Sequence, residues 1–222
     1  MDLSQRRFID FMVGAGVLSF GDFTTKSGRK TPYFVNTGRY HSGSQLVELG
    51  RAYADAIERS FPHDFDCLFG PAYKGIPLVV AVAMAFAERG REIDFCFNRK
   101  EAKDHGEGGV IVGRTLQDGD RVLIIEDVTT AGTSIRETVP LLRASARIVL
   151  AGLVVSVDRQ ERASDASSRT ALEEVGAEFG MPTAAIVTID EVVAHLGARL
   201  TDADRARIAE YRARYGAVSP AA

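Results

Sequence analysis

Short apolar runs and helical stretches alternate along the middle of the chain, and this alternation restricts its fold more than any other feature. Phe65 to Phe69, Ile93 to Phe97, Val122 to Ile125, Ile148 to Val157 and Ala184 to Thr188 are brief and rich in β-branched or aromatic residues. Between them, Ile76 to Arg89, Ser134 to Ala146 and Thr170 to Glu178 read as helices. A helix laid between two strands makes a crossover connection, and crossovers leave neighbouring strands parallel. A parallel sheet is covered on both faces, so its strands are apolar throughout rather than alternating. The expected class is therefore α/β, with ligands bound beyond the carboxyl ends of the strands.

Residues 1–60 add two helical patterns, 3–14 and 44–59, around a turn-rich segment from Gly21 to Gly38. Thr201 is placed to cap an Arg/Ala-rich amphipathic helix that runs to Tyr215, with a frayed tail expected beyond it. No linker divides the chain, and 222 residues suit a single domain with a sizeable core. A net charge of −3 argues against duplex binding, which calls for a basic balance. The longest apolar run, Ile76 to Ala87, falls short of the roughly 18 residues a membrane span needs. Asp2, Asp10 and Gly14 interrupt any signal-peptide core, and Cys67 and Cys96 lie outside any CxxC motif. A cytoplasmic protein with free thiols, bound to neither membrane nor nucleic acid, is expected.

One stretch carries chemistry. The strand Val122 to Ile125 delivers two adjacent acids, Glu126 and Asp127, into the turn TTAGTS (Thr129 to Ser134), which opens the next helix. A helix N-terminus offers unpaired N–H groups and partial positive charge, which suit a phosphate. The hydroxyls add donors, and Gly132 lets the backbone approach a ligand. The acids would repel a phosphate but can accept hydrogen bonds from sugar hydroxyls, so the segment suits a sugar phosphate. By itself the turn also fits a capped helix after a strand ending in solvated acids. A Walker-type ATPase is excluded because GxxxxGKS/T is absent, and a dinucleotide fold because no GxGxxG follows a strand. His41, His63 and His195 have no ligand-like spacing, so no protein-held metal site is expected.

The apolar run, acidic pair and TTAGTS turn resemble the signature of type I phosphoribosyltransferases, which bind phosphoribosyl pyrophosphate. FTTKSGRKTPYFVNTG (Phe23 to Gly38), GPAYKGIPL (Gly70 to Leu78), NRKEAKDHGEGG (Asn98 to Gly109) and DRQER (Asp158 to Arg162) resemble orotate phosphoribosyltransferases of the bacterial kind. This likeness spans nearly the whole chain except residues 195–222. It implies one phosphoribosyltransferase domain over residues 1–222, with a core of about residues 45–190. A small hood comes largely from residues 1–40, with a possible contribution from the chain's end.

The resemblance also assigns roles. Lys26, Tyr73, Lys74, Arg99, Lys100, Lys103 and His105 match contacts to phosphoribosyl pyrophosphate, as do Glu126, Asp127, Val128, Thr129, Thr130, Ala131, Gly132, Thr133 and Ser134. Lys103 and Asp127 carry the catalytic expectation. Phe34, Val35, Thr130 and Arg159 match the orotate contacts, with Val35 where an aromatic is commoner and Glu126 where many relatives carry Asp. A guanidinium suits orotate's carboxylate. Residues 98–109 are implied to form a mobile lid, and Ala72-Tyr73 a cis peptide. Mg²⁺ carried by the diphosphate and a homodimer with shared active sites are implied as well. Two other readings remain: a phosphoribosyltransferase for a different base, and a regulator that keeps the fold to sense phosphoribosyl pyrophosphate.

Overall fold

The computed structural model describes residues 1–24, 29–61, 65–103 (backbone alone at 101–103), 109–129, 132–164 and 166–217. The chain begins with helix α1 (Leu3–Gly14), the hairpin β1 (Leu18–Thr24) and β2 (Lys30–Val35), and helix α2 (Gly43–Ser60). Next come β3 (Cys67–Gly70), α3 (Gly75–Glu88), β4 (Asp94–Lys103), β5 (Gly109–Gly113), β6 (Arg121–Ile125), α4 (Thr133–Ser145) and β7 (Val149–Asp158). The last elements are α5 (Ala171–Phe179), β8 (Thr183–Thr188), α6 (Ile189–Leu196) and α7 (Asp202–Tyr215). Helix starts follow side-chain chemistry. Asp2 with Gln5, Ser42 with Gln45, Thr170 with Glu173 and Thr188 with Glu191 each close a reciprocal capping box. Thr201 caps α7 as the sequence suggests.

The six-stranded sheet runs β5-β4-β3-β6-β7-β8, parallel except for the antiparallel β4–β5 pair. Strand periodicity divides the core in two. Leu68, Leu123, Ile125 and Val154 pack on one face with Phe8, Tyr53 and Phe86 of α1, α2 and α3. Phe69, Ile124, Leu153 and Val155 pack on the other face with Ile135, Val139 and Leu142 of α4 and Val175 of α5. This is the α/β architecture that the alternation demands. Among the described residues, no helix is long and apolar enough to cross a membrane.

Three segments differ from the sequence reading. The turn-rich segment before Gly38 contains the antiparallel pair β1–β2, with Leu18 opposite Val35 and Phe20 opposite Tyr33. A two-stranded ribbon needs only one apolar face, so its Gly, Thr and Lys content hid the strands. The expected lid is strand in its described part: β4 continues to Lys103, and Asn98 pairs with Ile111 of β5. Charged residues tolerated at a sheet edge give no apolar run to read. Helix α6 also went unread. The hairpin rests on α7, where Tyr33 meets Tyr211 edge-on at 5.7 Å.

Candidate active site

The acidic pair leaves the centre of the sheet, between β3 and β7, and its backbone is held from both sides. Glu126 N donates to Val154 O at 3.0 Å, and the buried Tyr53 hydroxyl donates to Glu126 O at 2.7 Å. Asp127 O accepts from Ser156 N at 2.9 Å and from Ser156 Oγ at 2.5 Å. The two side chains then diverge. Glu126 is only 6% exposed, and its carboxylate is turned inward. There Oε2 accepts from Ser134 Oγ at 2.5 Å and Oε1 from Asp127 N at 3.0 Å. Burial outweighs those donors and pushes its carboxyl up to about 7.

Asp127 faces the cleft. Its Oδ2 accepts from Thr37 Oγ1 at 2.6 Å and Lys74 Nζ at 2.9 Å, and its Oδ1 from Val128 N at 2.7 Å. Burial alone would raise this carboxyl, but the Thr37 and Lys74 contacts hold it below its ordinary value. One carboxylate is thus ionised at the cleft, with a protonatable one beneath it. Two adjacent acids with divided environments can serve different tasks. Thr37, Lys74 and Asp127 line a cleft of about 180 Å³ together with Tyr40 and Leu78.

Two other strand ends border the acidic pair. Residues 70–75 leave β3 and open α3, with the Ala72-Tyr73 peptide cis as the resemblance implies. Ala72 N donates to Asn98 Oδ1 at 2.8 Å, which ties this loop to β4. The chain folds back so tightly that a Cβ on Gly70 would sit 2.1 Å from Gly75 O. Tyr73 is 69% exposed, and Lys100 Nζ lies 5.5 Å from its ring centre. Arg99 Nη1 donates to Gly109 O at 3.4 Å across the β4–β5 pair. Lys74 thus puts positive charge in the cleft, and Lys100 stands by the loop that carries it.

In the turn after the acids, Thr129 Oγ1 accepts from Gly132 N at 3.1 Å. Gly132 precedes α4 with φ +71°, and a Cβ there would meet Val175 Cγ2 at 2.4 Å, so glycine is required twice over. Thr133 and Ser134 start the helix, with the Ser134 hydroxyl committed to Glu126. Lys26, His105, Thr130 and Ala131 lie outside the described residues, as does the side chain of Lys103.

The remaining residues stand on β2 and at the end of β7. Phe34 is 39% exposed on β2 and tilts against Phe23 at 5.8 Å, while Val35 packs half-buried against the core. Arg159, at the carboxyl end of β7, is only 8% exposed. Its neighbour Asp158 accepts from Gln160 N, and Arg159 pairs with Glu161 and donates from Nη2 to Thr31 Oγ1 at 3.4 Å. Nε donates to Glu161 Oε1 at 2.9 Å, Nη2 lies 2.7 Å from the same oxygen, and the guanidinium sits 5.0 Å from the Tyr33 ring centre.

Sequence reasoning missed Thr37, Tyr53, Asn98, Ser156 and Glu161. Glu161 had a readable signal, since it stands two residues after Arg159 in DRQER. Tyr53 and Ser156 act from separate elements and had none. Among the described residues, no group of three or more His, Cys, Asp or Glu side chains could hold a metal. Both oxygens of Glu126, and both of Asp127, already accept hydrogen bonds.

Residues 36–186 match the model of the phosphoribosyl transferase domain. That span holds the acidic pair, the 70–75 loop and the TTAGTS turn, so fold and site together define a phosphoribosyltransferase. Relatives narrow the class. An orotate phosphoribosyltransferase of Lachnoclostridium phytofermentans is 57% identical over 197 residues, covering 88% of this chain and 87% of the relative. That of Clostridium beijerinckii is 52% identical over 225 residues, covering 98% and 100%. The crystal structure of the Francisella tularensis orotate phosphoribosyltransferase superposes with a TM-score of 0.84 at 38% identity, covering 95% and 99%. The chain belongs to the orotate phosphoribosyltransferase family.

Proposed function

We infer that this protein transfers the 5-phosphoribosyl group from phosphoribosyl pyrophosphate to orotate, giving orotidine 5′-monophosphate and diphosphate in de novo pyrimidine synthesis. The observation that carries the reading is the Asp127 carboxylate, held ionised by Thr37 and Lys74 at the mouth of a small-residue turn. A ribose hydroxyl can replace either donor on Asp127, while the helix N-terminus after Gly132 receives the 5-phosphate. Lys74, freed from Asp127, then turns to the diphosphate together with Arg99 and Lys100.

The acceptor lies under the hood, with Phe34 as a flat apolar surface and Arg159 opposite the carboxylate that distinguishes orotate from uracil. The ring nitrogen attacks the anomeric carbon as diphosphate departs through an oxocarbenium-like state. Lys103 is carried from the resemblance as the lid cation that stabilises the departing charge. The engaged carboxylates fit Mg²⁺ that is held by the substrate rather than by a protein cage. When bound, the ion would neutralise charge on the leaving group.

A homodimer with lids shared between active sites is also part of the proposal, and light scattering on the purified chain tests the assembly. Cys67 and Cys96, free and 3.6 Å apart in the core, suit a reducing cytoplasm. The direct test is loss of orotate absorbance on mixing with phosphoribosyl pyrophosphate and Mg²⁺. Expected is loss only when all components are present; consumption of adenine or uracil in place of orotate would support a different acceptor.

A further inference from the structure

We propose that Glu161 is the positioning residue for Arg159 and that it ties acceptor recognition to the end of α7. The proposal rests on the reading of Arg159 as the partner of the acceptor's carboxylate. Glu161 Oε1 faces Arg159 Nε at 2.9 Å, Arg159 Nη2 at 2.7 Å and the Tyr33 hydroxyl at 3.0 Å. Its Oε2 lies 3.5 Å from Arg29 Nη1. A guanidinium is planar, so gripping its Nε/Nη2 edge fixes both its plane and its direction. Nη1 has no hydrogen-bond partner among the described residues, which leaves that end of the fork for an incoming carboxylate. An arginine ordered beforehand loses less freedom when the acceptor binds.

The backbone around the pair is locked as well. Gln160 holds φ +51°, a conformation that non-glycine residues seldom adopt. It is kept there from three directions. Gln160 N donates to Asp158 Oδ1 at 2.8 Å, its Oε1 accepts from Asp190 N at 3.0 Å, and its O accepts from Ala217 N at 2.9 Å. Arg162 N donates to Tyr215 O at 2.9 Å, and Glu161 forms a bridge with Gly216. The end of α7 therefore lies along residues 160–162 like a short added strand. Arg29 stacks over Tyr215 at 4.6 Å, and Tyr211 packs on Tyr33. Glu161 is thus the point where the strand-end turn, the hood hairpin and the C-terminal helix meet.

A half-buried carboxylate could also do no more than fasten α7. In that case its loss would lower stability and weaken both substrates together. A positioning role instead weakens orotate selectively and vanishes once Arg159 is absent. Steady-state kinetics and melting temperatures of the full chain are to be compared for Glu161→Gln, Tyr33→Phe, Arg159→Ala and the double variant Arg159→Ala/Glu161→Gln.

Glu161→Gln is expected to raise the orotate KM about 10-fold, with the phosphoribosyl pyrophosphate KM within about 2-fold. Tyr33→Phe leaves the ion pair in place, so a rise of about 2- to 3-fold in orotate KM is expected even if the glutamine variant folds poorly. In the Arg159→Ala background, Glu161→Gln should add nothing further. Additive losses, equal weakening of both substrates, or an unchanged orotate KM in Glu161→Gln beside a defective Arg159→Ala would each overturn the positioning role alone. An unchanged orotate KM in Arg159→Ala would overturn the carboxylate reading beneath it.

Discussion

Glu126 should make the free protein less stable as pH rises toward neutrality, and Glu126→Gln should remove that dependence. The carboxyl is buried beneath Asp127 and raised from 4.5 to about 7, a difference equivalent to about 3 kcal/mol. The native state binds this proton more tightly than the unfolded chain does. Its contribution is therefore complete below pH 4.5 and is lost as pH rises through about 7. Integrated from pH 5 to pH 7.5, the loss is about 2 kcal/mol. Asp127 is shifted the other way, and its window lies below its ordinary 3.8, outside this range. Asp158 is raised by burial in the same sense as Glu126, but it is present in both proteins and cancels in the comparison. Urea unfolding at pH 5 and pH 7.5 is the assay. The wild type should lose about 2 kcal/mol more than Glu126→Gln between the two conditions. Identical losses in both proteins, or a wild type that gains stability relative to the variant, would refute a raised Glu126.

Three further outcomes follow from particular contacts. Thr37→Ala removes one of the three donors that keep Asp127 ionised; steady-state kinetics should show a rise of about 5-fold in the phosphoribosyl pyrophosphate KM, equivalent to about 1 kcal/mol, with the orotate KM nearly unchanged. Gly70→Ala forces a methyl against Gly75 O, so differential scanning should register a destabilisation of about 3 kcal/mol or no folded protein at all. Lys103→Ala should lower kcat by about 100-fold or more with modest change in orotate KM, because the proposed mechanism sets its charge against the departing diphosphate. An unchanged kcat, where chemistry limits turnover, would remove Lys103 from the mechanism.

The sheet was legible because a parallel strand covered on both faces must be apolar at nearly every position. All five apolar runs became strands, and the central one placed the acids where a ligand would bind. Of the strands that escaped, β1 and β2 form a two-stranded ribbon, where one side meets water and charged or small residues are tolerated, and β5 offers only three apolar residues, Val110 to Val112, between two glycines. Candidate site segments were readable wherever consecutive residues build them, as in the strand-to-helix turns TTAGTS and GPAYKG. The candidate site was unreadable wherever a third element supplies a support. Nothing near Tyr53 in the sequence says that its hydroxyl holds Glu126 O, and Thr37 reaches Asp127 only because the hairpin returns over the sheet. Arg159 was found through resemblance, but its burial against Glu161 and Tyr33 required the fold. The placements of Lys26, His105, Thr130 and Ala131 lie outside the described residues, so their roles rest on the resemblance alone.

The reading of the acceptor site stands or falls on calorimetric titration of Arg159→Ala with orotate and, separately, with phosphoribosyl pyrophosphate and Mg²⁺. Removing the guanidinium leaves the acceptor's carboxylate facing a partly dry hood without its partner, at a cost of about 2–4 kcal/mol, or roughly 30- to 1,000-fold in orotate affinity. The phosphoribosyl pyrophosphate affinity should stay within about 2-fold, since Asp127, Lys74 and the TTAGTS turn are untouched. Equal weakening of both ligands would contradict this account and make Arg159 a support of the fold rather than the reader of the acceptor.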